Sequence, residues 1–113
     1  MPVADPHAWA VLQFGDQNAW LDFLGQHALW HRALDVAVRA LGGVAYPSLP
    51  LGDGGGDAWH EAHQQAHEGA AASLVIASPI DFRSYDLTDP EAFPTWTYLH
   101  AQEHIRLRGV VGI

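Results

Sequence analysis

The stretch "AWLDFLGQHALWHRALDVAVRALGG", Ala19 to Gly43, decides the fold. Trp20, Leu24, His27, His31, Leu34, Val38 and Leu41 recur in alternating steps of four and three residues. That is the seam of a helix packed lengthwise on other helices. Asp16 or Asn18 can cap its start and Gly42-Gly43 its end, so a helix is expected over about 17–41. Phe23, Trp30 and Ala37 widen the seam, while Leu29, Ala33, Val36 and Ala40 form a second apolar side at about 100° per residue. A helix apolar on two sides is expected to be sandwiched between neighbours.

Outward from that helix, "GGVAYPSLPLGDGGGD" (Gly42 to Asp57) reads as a long Gly/Pro-rich loop. It is no phosphate cradle, because no Lys follows the glycines and two Asp flank them. Asp57 can cap a second helix, "AWHEAHQQAHEGAAA", over about 58–71. "SLVIASP" allows at most a short strand near 73–78, stopped by Pro79. "IDFRSYDLTDPEAFP" reads as an irregular arm whose Phe82, Tyr85 and Phe93 need somewhere to pack. Asp89-Pro90-Glu91 carries the signature of a helix start, which places a third helix over about 90–108, kinked or restarted at Pro94 and ended by Gly109. The expected fold is therefore mainly α: one domain over 1–113, three helices, an irregular arm at 1–15 and a loop at 42–57. The first and last helices share an aromatic-then-His-x3-His layout that reads as an echo and not as a residue-by-residue repeat.

Composition narrows the function classes. The chain has 113 residues, 49% of them apolar and five of them Trp, which is enough for one packed core. Thirteen acids face five bases, all Arg, for a formal charge of −8. Such a chain repels phosphate backbones and anionic lipid, so neither nucleic acid nor membrane is an expected partner. No run approaches the roughly 18 apolar residues of a membrane span, and the start carries no basic n-region or long apolar h-region. A soluble protein made in the cytoplasm is expected. With no Cys there is no disulfide, thiolate ligand or Cys nucleophile.

Chemistry, if any, rests on histidine. Eight His are present, and His27/His31, His63/His67 and His100/His104 are i,i+4 pairs that can each aim two imidazoles the same way. This is the geometry of a two-His bite on zinc or another divalent ion, with His27, His31, His100 and His104 as the candidate ligands. "HEAH" and "HQQAHE" miss the His-Glu-x-x-His zinc signature. The competing expectation, preferred here, is that the imidazoles pack and hydrogen-bond beside Trp in a helical interface, with no cofactor. No Ser or Thr sits in a nucleophile elbow, and "DFRSYDLTDPE" lacks EF-hand spacing, so no catalytic residue can be named and a non-enzyme is expected. Aromatic and Arg enrichment without Lys is the composition of protein interfaces. Trp20, Trp30, Phe82, Tyr85, Trp96, Tyr98 and Ile105 are the candidate anchors. Eight protonated His could offset the charge of −8, so solubility is expected to fall as pH drops through about 6.

"SYDLTDPEAFPTWTYLHAQEHIRLRG" resembles a pattern in small proteins encoded among the structural genes of tailed bacteriophages. The pattern is carried by Asp86, Asp89, Pro90, Phe93, Trp96, His100, His104, Ile105 and Gly109, with "AWLDFLGQHALWH" as a looser second instance. The resemblance implies a non-enzymatic virion component, made in the host cytoplasm, that docks in many copies on capsid, neck or tail proteins. The alternatives are a small His-rich metal-binding protein or metallohydrolase, and a regulatory adaptor that binds one host protein.

Overall fold

A computed structural model describes residues 4–42, 57–77 and 80–113. Three helices dominate it: α1 (Gln17–Ala40), α2 (Asp57–Leu74) and α3 (Ala92–Val111). Two 3-10 turns, Pro6–Val11 and Phe82–Ser84, lie outside them. The mainly helical expectation holds, with helix ends shifted by at most three residues. The expected loop at 42–57 falls almost wholly outside the described residues.

Local chemistry sets the ends. Asp16 accepts a hydrogen bond from the Ala19 amide and caps α1, while Gly42 takes the left-handed conformation that follows it. Asp89 is not the cap of α3; its carboxylate accepts from the Glu91 amide and shapes the turn before the helix. Pro94 neither restarts nor kinks α3, because it lies in the first turn, where the amide has no intrahelical partner to lose. Nor does Gly109 end it: the helix runs through to Val111, and Gly112 at φ 74° closes it.

The expected strand near 73–78 is absent among the described residues. Ser73 and Leu74 belong to α2, and the chain then folds into a Schellman cap. The Ile76 amide donates to the Ala71 carbonyl at 3.0 Å and the Val75 amide to Ala72 at 3.3 Å. Apolar "LVI" is thus a helix end, and the cap forces Val75 to φ 54°.

One register runs through all three helices. Phe23, Trp59 and Trp96 each precede, by four residues, the first His of a His-x3-His pair. Three residues past each second His come Leu34, Ala70 and Leu107, all fully buried. The His of the three helices meet first with first and second with second, so the helices run in the same direction through the core. Parallel neighbours need connections that return along a helix. Residues 41–56 and 75–91, at about 3.3 Å per extended residue, are long enough. The first and last helices therefore share four positions in one register, and α2 shares it with both.

Short segments plug the grooves. The N-terminal arm is not irregular throughout: its 3-10 turn drives Trp9 into the core, where Trp9 Nε1 donates to Gln26 Oε1 at 3.2 Å. On another side Gln64 accepts from the Phe82 amide at 2.9 Å and donates to the Ile80 carbonyl, which seats Phe82 against His67, His100 and Trp96. Among the described residues the outer side of α1 has no covering neighbour: Leu29 and Val36 are exposed.

Val75 is 90% exposed and β-branched in the left-handed region, so it pays strain without packing. Val75→Gly is expected to raise unfolding stability by about 0.5–1 kcal/mol. Chemical denaturation would read this, and a loss of stability would show that the cap forms otherwise.

Candidate metal centre

The shared register places six imidazoles around one point. His27, His63 and His100 form a triangle, with ring centroids 4.9 Å (27 to 63), 4.8 Å (27 to 100) and 4.8 Å (63 to 100) apart. His31, His67 and His104 form a second, at 5.0 Å (31 to 67), 4.9 Å (31 to 104) and 4.8 Å (67 to 104). Along α1, α2 and α3 the two triangles stand 4.4, 4.5 and 4.3 Å apart. Three cross-layer approaches turn in one sense: His27 to His104 at 4.9 Å, His63 to His31 at 5.6 Å, His100 to His67 at 5.5 Å. These twelve edges describe an octahedron whose opposite vertices are His27/His67, His63/His104 and His31/His100.

The nitrogens converge more tightly than the rings. His27 Nε2 lies 3.1 Å from His100 Nε2, 3.1 Å from His104 Nε2 and 3.0 Å from His31 Nε2. His100 Nε2 is also 2.9 Å from the Nε2 atoms of His63 and His104. Ligand atoms of His27, His31, His63, His67 and His104 all lie within 4.8 Å of one another, and His100 joins them through these short approaches. A neutral imidazole nitrogen has one in-plane direction, holding either a proton or a lone pair. One Nε2 cannot hydrogen-bond three neighbours at once, so an imidazole network leaves most of these approaches unpaired. Five of the six Nε2 atoms take part in these approaches, and the His67 Nε2, buried beside them, has no hydrogen-bond partner.

Each helix builds its share in the same way. Phe23 stacks on His27 (5.0 Å, 29°), Trp59 on His63 (4.7 Å, 18°) and Trp96 on His100 (4.5 Å, 12°). Trp9 and Trp30 close on His104 at 5.0 and 4.4 Å. All six His are buried. The Nδ1 atoms of His31, His63, His67, His100 and His104 have no hydrogen-bond partner and sit in this aromatic wrapping, without the carboxylate that commonly orients a ligating His. Packing, not outer hydrogen bonds, orients the ligands.

Burial holds all six imidazoles well below their ordinary pKa, His67 to about 3, and repulsion among the imidazoles adds to the shift of the other five, as Arg106 does for His67. At neutral pH the rings are uncharged and their lone pairs are free to bind a cation. The expected solubility loss near pH 6 assumed eight His titrating freely; six of them cannot while the chain stays folded.

All four sequence candidates, His27, His31, His100 and His104, meet in this centre. His63 and His67, named in the sequence only as a third i,i+4 pair and left out of the candidate ligands, join the same cluster, and the aromatic-x3-His-x3-His-x2-apolar register common to the three helices announces them. The interface candidates divide. Trp30, Trp96 and Phe82 are corrected to core residues, enclosed by their own chain and closed to any partner. Trp20, Tyr85 and Ile105 are half-buried, and Tyr98 is exposed.

No family model, curated protein or solved structure matches this chain. The centre must be read from its own chemistry. A cleft of about 760 Å³, lined by Phe14, Trp20, Tyr85 and Phe93 among others, holds none of the six His. Trp20 in its wall packs on Phe23 and Trp96, which lie between the cleft and the imidazoles.

The pH response follows from the sign of the shifts. An unfolded His takes a proton near pH 6.5, while the folded ones refuse it, so below 6.5 the unfolded state gains protons that the native state lacks. Stability is full above pH 6.5 and falls as pH drops through 6.5 toward the folded values, by up to about 1.4 kcal/mol per pH unit for each such His. Metal-free protein is expected to lose its near-UV Trp circular dichroism in a steep transition that starts near pH 6. A transition confined below pH 4 would contradict the burial of the six imidazoles.

Proposed function

We propose that this protein binds a divalent first-row transition-metal ion at the six-histidine centre, and that the ion ties the three helices together. The observation that carries the reading is the convergence of Nε2 atoms at 2.9–3.1 Å, which hydrogen bonding cannot satisfy and a cation can. Donor chemistry supports it: imidazole suits zinc, copper, iron, cobalt and nickel, and among the described residues no Asp or Glu carboxylate joins the cluster to favour calcium or magnesium. The net charge of −8 lies outside the centre and raises the local concentration of cations.

The role is structural, storage or sensing and not hydrolytic. A catalytic metal keeps a position open for water or substrate. Here six side chains surround the point and aromatic rings seal it.

Protein purified without a polyhistidine tag and dialysed against nickel, cobalt or zinc is expected to retain one ion per chain. The ion should raise the unfolding free energy by about 2.7 kcal/mol at a free concentration one hundred times Kd. His63→Ala/His67→Ala is expected to abolish retention. An untagged protein that holds no stoichiometric ion, or a double variant that holds it as well as the parent, would sink the reading.

A second reading concerns the outer face of α1, where Leu29 and Val36 lie exposed on one side with Ala33 and Ala40. Such a face suits docking on another protein chain, and a phage particle is the setting that the resemblance to virion proteins implies. A metal-tied bundle would serve that purpose as a rigid adaptor. A chain that sediments as a monomer and is missing from purified particles would remove this second reading without touching the first.

A further inference from the structure

Resting on that metal reading, we propose that the centre is a single, coordinatively saturated octahedral site of six nitrogens, which favours nickel(II), cobalt(II) and iron(II) over zinc(II) and copper(II). The size argues first. An octahedron with edges of 2.9–3.1 Å has its centre about 2.1 Å from each vertex (edge divided by √2), which is the length of a bond from a first-row divalent ion to imidazole. The five short Nε2 edges, among His27, His31, His63, His100 and His104, therefore have the length of a filled shell's edges.

The number of ions follows from the layer spacing. The two triangles are joined by Nε2 separations of 3.0 Å along α1 and 2.9 Å along α3. Two ions, one per triangle, would stand closer than the roughly 3.5–4 Å of two-metal sites and would lack an anion to bridge them. One ion between the triangles uses all six nitrogens.

Selectivity follows from the geometry. Zinc in structural sites is almost always four-coordinate and tetrahedral. In this centre it would leave two neutral imidazoles buried, unligated and without hydrogen bonds, a cost of about 1–3 kcal/mol for each such group. Relaxation toward a tetrahedron is opposed by the stacking of Phe23, Trp59 and Trp96 on the first triangle and by the packed layer of Leu34, Ala70 and Leu107 beyond the second. Copper(II) prefers a tetragonal field, which three near-equivalent helices do not supply. All six ligands are neutral, so the shell offers no charge to hold a trivalent ion in an apolar core.

Untagged protein titrated with cobalt(II) tests this by visible absorption. The expected result is one equivalent with the weak bands of a six-coordinate ion. Intense tetrahedral bands, or two equivalents, would overturn the inference while leaving the metal reading intact; no binding of any ion would overturn both. In competition at equal concentrations, native mass spectrometry is expected to show nickel retained over zinc, and zinc winning would overturn the selectivity. Each of the six single His→Ala variants is expected to weaken nickel binding by at least roughly tenfold, as even outer ligand partners do. Two variants that bind nickel like the parent would instead mark a four-coordinate site. Where a variant fails to fold, the cobalt spectrum of the parent still decides.

Discussion

Six uncharged imidazoles share one buried point, and everything else in the molecule is arranged around that fact. Burying a polar ring without a partner is costly, and six of them in contact multiply the cost. The chain surrounds them with Trp9, Trp30, Trp59, Trp96, Phe23 and Phe82, which encloses them away from solvent. Such a core is hard to justify by packing alone. Leucine in the same six places would bury as well and satisfy itself, whereas a cation at the centre would convert six liabilities into six bonds.

The three-fold likeness of the helices follows from the same constraint. An octahedron built from helices needs two adjacent ligands from each, and His-x3-His supplies them one turn apart. Here like ends meet like ends, so the helices run parallel with long returns between them. The second return is used as structure, through Phe82, bolted to α2 by Gln64, and the N-terminal segment adds Trp9, pinned by Gln26; both fill grooves between the helices.

How much of this was readable in advance depends on the period of the signal. The α1 seam, the Asp16 cap and the Gly42 stop are local, and they were legible because helix period and capping act within a few residues. The strand near 73–78 failed because a short apolar run cannot be told from a helix end, and here the Schellman cap decided. Pro94 and Gly109 misled because their effect depends on position within α3: the first turn tolerates proline, and a helix interior can absorb one glycine. The anchors Trp30, Trp96 and Phe82 were read as interface because composition cannot distinguish a core from a surface meant for a partner.

By itself the sequence determined three amphipathic helices, each carrying an aromatic, two His one turn apart and an apolar residue in one register, because those relations lie within a few turns of one chain. It also determined the acidic surface and the absence of thiolate chemistry. Only the tertiary structure decided that the three pairs share a single centre, that His63 and His67 belong to it with the other four, and that Trp30, Trp96 and Phe82 wall it in. The physical reason is that convergence is a property of helix direction and of packing across tens of residues, to which neither period nor spacing within one helix is sensitive.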